Sequence, residues 1–163
     1  RRLSQRENER GRERTPVVID RKHIGTELPE AVLEIEKGRL RLFAKAIGET
    51  DPIYTDETAA KAAGYPSLPA PPTFIYAAEL DAGTLGPAMK VLGIDLARTL
   101  HGEQHFTYHG PICAGDTITV RSKITDIYDR KNGALEFVVR ESVVTNQHGR
   151  RIAEMRNVLV VRH

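Results

Sequence analysis

The sequence predicts an α+β domain in which an antiparallel sheet wraps around one buried helix. From about Ala97 onward, apolar residues recur with a period of two along four long segments, which is typical of strands. Before them, residues 73–82 are apolar nearly all round, and a helix of that composition is normally buried. Long antiparallel strands beside one buried helix favour the α+β class. A chain of 163 residues is most simply one domain with its own core.

Helix and turn signals order the first half of the chain. A short strand, an amphipathic helix and a second short helix are predicted over residues 17–28, 38–47 and 56–63. Gly48 is a natural stop for the first helix, and Asp56 caps the second. Pro72, at a first helical position, favours the buried helix that follows.

The second half consists of four predicted strands, over residues 99–108, 117–128, 134–145 and 150–161. The connections between the last three read Asp-Arg-Lys-Asn-Gly, at 129–133, and Asn-Gln-His-Gly, at 146–149. Both are good hairpin signals. The strands are therefore expected to be antiparallel.

Composition separates a basic N-terminal segment from the rest of the chain and argues against nucleic-acid and membrane partners. Residues 1–16 hold six arginines and three glutamates and few apolar side chains, so we predict a flexible basic tail before a folded domain over residues 17–163. The formal net charge of +2 is too small to indicate a nucleic-acid partner. No run approaches the roughly 18 apolar residues of a membrane helix, so no membrane association is predicted. The single cysteine, Cys113, fits a reducing, cytoplasmic compartment.

Three motifs follow one another along the chain: GETDPIY at 48–54, PAPP at 69–72 and GPICAGDTI at 110–118. In this order, they resemble the MaoC-like (R)-specific enoyl-thioester hydratase and 3-hydroxyacyl dehydratase family. The segment APPTF at 70–74, with LHGEQ at 100–104, is more similar to the FAS1-like dehydratase branch, the N-terminal MaoC type.

This resemblance implies a fold, a reaction and a partner. The fold is a single hot-dog domain, expected to form a double hot dog by pairing with another hot-dog domain as a homodimer or heterodimer. The substrate is an acyl-CoA or acyl-carrier-protein thioester of fatty acid metabolism, and no cofactor and no metal are expected. In the FAS1-like branch, such a domain is typically the half, or the partner subunit, that lacks the catalytic pair.

Hydration of an enoyl thioester needs an activated water and a stabilised enolate oxygen, and the family uses an Asp, a His and a backbone N–H for this. Here Glu49 and Tyr54 stand at the Asp and His positions. A longer carboxylate moves the base, and tyrosine, with a reference pKa near 10, is a poor proton acceptor at neutral pH. Pro72 stands where the family has a glycine, and proline has no N–H to donate.

The candidate site residues follow from this alignment. The catalytic candidates are Glu49, Asp51 and Tyr54. The resemblance implies contact with substrate at Pro71, Pro72, Thr73, Phe74, His101 and Gln104.

A metal site is the alternative interpretation of one strand. His101, Glu103 and His105 alternate, so they are expected to share a face. We favour an exposed polar face, because nothing supplies a closed ligand set. His109 and Cys113 are predicted to have structural roles.

The sequence thus predicts a hot-dog subunit of an acyl-thioester hydratase or dehydratase, which shapes the acyl tunnel while a partner supplies Asp and His. On this prediction, the chain is weak or inactive alone. Three alternatives stay open: an active homodimeric enoyl-CoA hydratase with altered catalytic residues, a hot-dog thioesterase, and a non-enzymatic acyl-thioester binding module.

Overall fold

The computed structural model describes residues 18–163. The basic tail predicted over residues 1–16 lies outside this range, and the domain boundary at residue 17 stays a prediction. None of the helices within the described range is long and apolar enough to cross a membrane.

The described residues contain a five-stranded antiparallel sheet. Its strands are β1 (Ala31–Glu34), β2 (Thr99–Tyr108), β3 (Thr117–Arg130), β4 (Leu135–Thr145) and β5 (Arg151–Arg162). Their order across the sheet is β1-β3-β4-β5-β2, so β1 and β2 form its two edges. The four strands predicted in the second half are thus confirmed, with ends that differ by at most two residues.

Four helices accompany the sheet: α1 (Lys37–Ala46), α2 (Glu57–Ala62), α3 (Phe74–Asp81) and α4 (Leu85–Leu92). The predicted central helix is α3, whose Phe74, Ile75 and Ala78 are each about 1% exposed and lie in one apolar cluster with Ile118 and Val144 of the sheet. A second cluster packs α4 against the other end of the sheet. The expected α+β architecture, a sheet around a central helix, is therefore confirmed.

Turn chemistry places the element boundaries as expected. Gly48 follows α1 with φ of 73°, where a side chain would be strained. The Asp56 carboxylate accepts from the Thr58 N–H at 2.8 Å and so caps α2. In the second hairpin, Asn146 Oδ1 accepts from the N–H groups of His148 and Arg150, at 3.1 Å each.

The strand predicted over residues 17–28 is wrong for the part that the structure describes. A single 3-10 turn, Arg21–His23, lies there, and one isolated bridge joins Glu27 to Lys123. The Ile19 N–H donates to the Glu136 carboxylate at 3.0 Å instead of to a neighbouring strand. Ile19 and Leu28 are buried at two separate points of the second cluster, so their apolar character reflects anchoring and not a strand.

The start and the composition of α3 also differ from the prediction. The Phe74 N–H donates to the Pro71 carbonyl at 2.9 Å, so Pro72 lies in a turn before the helix and not at its first position. Within α3, Leu80 is partly exposed and Glu79 is buried. The helix is central, as expected, but its inner face carries a charge.

Candidate functional site

The three motifs meet at one cavity of about 400 Å³ beside the start of α3. Its wall combines the turn after Asp51, the proline-rich loop before α3 and the connection after β2. The lining residues are Tyr54, Tyr65, Pro69, Ala70, Pro71, Pro72, Ile75, Tyr108, His109, Gly110, Pro111 and Ile112. Segments separated by up to about sixty residues in sequence thus share one wall.

Backbone bonds fix the proline-rich loop against the third motif. The Ala70 N–H donates to the Ile112 carbonyl at 2.7 Å, and the Ala114 N–H donates to the Leu68 carbonyl at 2.9 Å. Asp116 Oδ2 accepts from the Cys113 N–H at 2.8 Å, which closes the Gly-Asp turn. Cys113 is buried, and burial raises the pKa of its thiol, in line with a structural role.

The two candidate carboxylates accept hydrogen bonds from backbone N–H groups of their own loop. Glu49 Oε1 accepts from the N–H groups of Thr50 and Asp51, at 2.8 and 2.9 Å. Asp51 Oδ1 accepts from the Ile53 N–H at 3.0 Å and caps the short 3-10 turn Pro52–Tyr54. Neither side chain lies on the wall of the cavity.

The third catalytic candidate, Tyr54, does line the cavity. Burial raises the pKa of its hydroxyl, and the neighbouring Glu49, Tyr65 and Asp51 raise it further. Burial also raises the pKa of Tyr108, on the same wall, to about 12. At neutral pH both hydroxyls are therefore protonated, so they can donate hydrogen bonds to a ligand but are poor bases.

The substrate-binding candidates before and in α3 divide into two groups. Pro71 and Pro72 line the cavity, whereas Thr73 and Phe74 do not. The Phe74 ring packs edge-to-face on Phe43, with centroids 5.3 Å apart, and belongs to the core.

His101 and Gln104 lie away from the cavity wall, further along β2. The register between β2 and β5 shifts at Gly102, where an added methyl group would meet Val160 Cγ2 at 2.8 Å and the Val158 carbonyl oxygen at 3.0 Å. This β-bulge turns His101 and Gln104 to one face, where both contact Asn157 Nδ2, at 3.1 and 3.0 Å.

The expected shared face of His101, Glu103 and His105 is therefore wrong. Glu103 accepts from Arg156 at 3.0 Å and contacts His105 at 3.3 Å, while His101 turns towards Asn157. The hydrogen bond from Arg156 and then the contact with His105 lower the pKa of Glu103. Residues 18–163 contain no cluster of three or more potential metal ligands.

Two features of the wall escaped prediction. Tyr108 and His109 directly precede the third motif, and that adjacency was the available signal. His109 Nε2 lies 3.2 Å from Glu154 Oε1, which also accepts from Arg151 at 2.7 Å. His109 first, and then Arg151, lower the pKa of Glu154.

A buried charged cluster lies beneath α3, and the sequence interpretation missed it. Glu79 Oε2 accepts from Arg140 Nη2 at 2.8 Å, and Glu79 Oε1 accepts from the hydroxyls of Ser142 and Ser122 at 3.1 and 3.3 Å. We call Glu79, Arg140, Ser122 and Ser142 the α3 ion-pair cluster. Its available signal was helical spacing, because Glu79 follows the buried Ile75 by four residues.

The fold and the arrangement of motifs around the cavity define a hot-dog domain. The family model described as "FAS1-like, dehydratase domain region" matches residues 22–155. The UPF0336 protein of Thermobifida fusca is 36% identical over 148 residues, which cover 90% of this chain and 95% of that protein. The chain therefore belongs to the FAS1-like dehydratase family, within the MaoC-like hot-dog dehydratases, and the resemblance drawn from the motifs is confirmed.

Solved structures share this fold. A chain of the HadBC (3R-hydroxyacyl-ACP dehydratase) complex from Mycobacterium tuberculosis superposes with a TM-score of 0.72 and 26% identity, over 85% of this chain and 96% of that one. The MaoC-like dehydratase from Rhodospirillum rubrum gives a TM-score of 0.64 and 20% identity, over 86% and 93% of the two chains. At that lower identity, the second comparison shows the fold alone.

Proposed function

We propose that this chain is the tunnel-shaping subunit of an acyl-thioester (R)-hydratase or 3-hydroxyacyl dehydratase, and that a partner hot-dog domain supplies the catalytic Asp and His. The observation that carries the proposal is the placement of the Glu49 carboxylate. It accepts two backbone N–H groups of its own loop and does not face the cavity. A general base must reach the water that it activates, within hydrogen-bond distance.

The oxyanion donor is also missing from its expected place. Pro72 has no N–H, and the N–H of Phe74 is already bonded to the Pro71 carbonyl at 2.9 Å. Enolate stabilisation by a preorganised N–H is worth about 2.7–4 kcal/mol in comparable oxyanion holes. A cavity without this donor, and in which none of the candidates Glu49, Asp51 and Tyr54 is a free base, is a poor catalyst by itself.

The cavity nonetheless suits an acyl thioester. Prolines, Ile75 and Ile112 supply apolar surface, while the hydroxyls of Tyr54 and Tyr108 can donate to a carbonyl oxygen. The ligand that fits this mixture is an acyl chain on CoA or on an acyl carrier protein. We place this activity in fatty acid metabolism in the cytoplasm.

The edge strand β2 is the proposed pairing surface. It is ten residues long, and among residues 18–163 it pairs only with β5, on one side. Leu100 and Tyr108 on this strand are 48% and 41% exposed. A long edge strand with exposed apolar side chains is prone to pair with another strand. The related HadBC structure is a complex, which supports a hot-dog domain as the partner.

Reconstitution tests this proposal. The chain is mixed with a hot-dog domain that retains Asp and His, and the mass of the assembly and the loss of enoyl-thioester absorbance are measured. We expect a 1:1 complex whose turnover exceeds that of either component. A His→Ala change in the partner is expected to abolish that turnover, whereas Tyr54→Phe in this chain is expected to leave most of it. Failure to associate with any such domain would contradict the proposal.

One observation favours a second candidate, an active homodimeric hydratase with unusual catalytic residues. His109 lies on the cavity wall and contacts Glu154 at 3.2 Å, an arrangement that can orient an imidazole as a base. This candidate predicts turnover by the chain alone that His109→Gln removes. Glu49, Asp51 and Tyr54 remain its other candidate groups.

A further inference from the structure

Hydrogen-bond donors outnumber acceptors in the layer between α3 and the sheet. Gln104 of β2, Asn157 of β5 and Arg140 of β4 lie directly opposite one another in register. Neighbouring strands are about 4.8 Å apart, so this row spans about 10 Å across the inner face. We call these three residues the polar row.

Two members of the polar row have buried donors without an acceptor. Arg140 is 4% exposed and uses Nη2 for Glu79, but its Nε and Nη1 have no partner among residues 18–163. Within the same range, Gln104 Nε2 is also buried and unpaired. Buried donors are nearly always satisfied in folded proteins. The polar row therefore has the chemistry of a site that receives an oxygen atom.

The row reaches the surface at the β2 edge. Asn157 Nδ2 contacts Nε2 of the exposed His101 at 3.1 Å, and the His101 ring lies 4.7 Å from the ring of Tyr76 on α3. Burial raises the pKa of Tyr76, and the charge of Arg140 opposes that rise. Polar groups from the helix and from the sheet thus converge here.

The same strand face leads back to the cavity. Tyr108 lines the cavity, and Phe106 and Gln104 lie two and four residues earlier on β2, with the same orientation. At about 3.3 Å per residue, Gln104 is about 13 Å from Tyr108 along the strand. On α3, Ile75 lines the cavity and Tyr76 is the next residue. Phe106, which packs against the core cluster, lies between the cavity and the polar row, so an acyl chain that extended along this face would pass it first.

We propose that the polar row binds a hydroxyl or carbonyl oxygen carried by the acyl chain, so that the preferred substrate class is an oxygenated acyl thioester. A neutral oxygen is the fitting ligand, because Glu79 already balances the charge of Arg140. This inference rests on the proposed function, since it assumes that an acyl thioester occupies the cavity.

Paired ligands test the inference. Binding of a series of plain acyl-CoA thioesters and of ω-hydroxyacyl-CoA thioesters of equal length is measured on the chain, in the assembly in which it is purified. We expect one chain length at which the hydroxyl improves affinity about tenfold, as for one well-formed hydrogen bond. Gln104→Met is expected to remove that preference.

The controls separate the possible failures. Asn157→Leu is the second variant and is expected to remove the preference, like Gln104→Met. His105→Gln, on the outer face, is the control and is expected to keep the preference. Circular dichroism checks that each variant is folded. Equal affinity for plain and hydroxylated chains at every length would overturn this inference and leave the proposed function standing. The inference would also be overturned if the parent showed no hydroxyl preference and Gln104→Met associated more weakly with the partner domain. The acceptor for the Gln104 amide would then be a side chain of the partner. Absence of binding by every acyl-CoA and every acyl-carrier-protein thioester would overturn both proposals.

Discussion

The start and the middle of α3 differ in the charged side chains that surround them. At the start, the cavity wall is formed by prolines, tyrosines and apolar side chains, and the nearby carboxylates of Glu49 and Asp51 are used by their own exposed loop. In the middle, the α3 ion-pair cluster buries a carboxylate and a guanidinium within the core. The middle of the helix thus carries a buried charge, and the cavity wall at its start carries none of the candidate carboxylates.

This difference indicates that the charged residues of α3 have a structural role and not a catalytic one. A buried ion pair is weak evidence for stability, because desolvation offsets the attraction between the charges. Its retention is better explained by positioning, since Glu79 bonds to two strands and so fixes the register of α3 on the sheet. The cavity at the start of α3 then has a fixed wall, as a tunnel-shaping subunit requires.

The largest expected effect comes from breaking the ion pair on one side. Arg140→Met leaves the Glu79 carboxylate buried with only two serine hydroxyls, and we expect a loss of about 3–5 kcal/mol in the free energy of unfolding. Urea denaturation measures it. The double variant Glu79→Leu/Arg140→Met removes both charges and is expected to regain most of the loss. Equal stability of Arg140→Met and the parent would contradict the account of this region.

The next largest loss of stability is expected from a substitution at the bulge in β2. Gly102→Ala places a methyl group against Val160 Cγ2 and the Val158 carbonyl, and such overpacking costs about 1–3 kcal/mol. Gly38→Ala is the matched control: Gly38 lies in α1 with no atom within 4 Å of the added methyl, so we expect a gain of about 0.5–1 kcal/mol. Thermal unfolding of the two variants should therefore shift in opposite directions. A stable Gly102→Ala protein would mean that the bulge is absent.

Alkaline pH tests the raised pKa of the Tyr108 hydroxyl on the cavity wall. The pKa of Tyr108 is raised from 10.0 to about 12, so the unfolded state loses this proton before the folded state does. The contribution of Tyr108 to stability is present below pH 10 and is lost as pH rises towards 12. Relative to the parent, Tyr108→Phe should therefore become more stable over this interval, as denaturation at several pH values would measure. A difference between the two proteins that does not change with pH would contradict the burial of this hydroxyl.

The smallest effect is expected at Glu49, one of the proposed catalytic candidates. The amide oxygen of Glu49→Gln can still accept from the N–H groups of Thr50 and Asp51, so the free energy of unfolding should change by less than about 0.5 kcal/mol. Asp56→Ala is the control on the next loop, where loss of the α2 cap should cost about 1 kcal/mol. A larger loss in Glu49→Gln than in Asp56→Ala would show that the Glu49 charge does more than close its loop.

Signals from residues close together in sequence were sufficient to predict most of the fold. Period-two segments and hairpin turns predicted β2 to β5, and the three motifs predicted the family. These features depend on residues close together in sequence, or on a spacing that a resemblance can match. The strand expected over residues 17–28 failed because Ile19 and Leu28 are buried by distant parts of the chain.

The remaining features depend on long-range geometry. A one-residue bulge at Gly102 reverses which side chains share a face, and nothing in the alternation of His101, Glu103 and His105 indicates it. The partners Glu79 and Arg140 are 61 residues apart and belong to different elements. A pair so far apart in sequence is visible only once the fold is known.

Turnover by the chain alone tests the central claim most directly. The purified chain, without any partner, is incubated with a trans-2-enoyl-CoA, and the loss of enoyl-thioester absorbance is followed. Because the carboxylates of Glu49 and Asp51 are bonded to their own loop and Pro72 has no N–H, we predict a rate indistinguishable from that of buffer. Steady turnover by the chain that is lost in Tyr54→Phe, Glu49→Gln or His109→Gln would contradict the claim and identify the catalytic group.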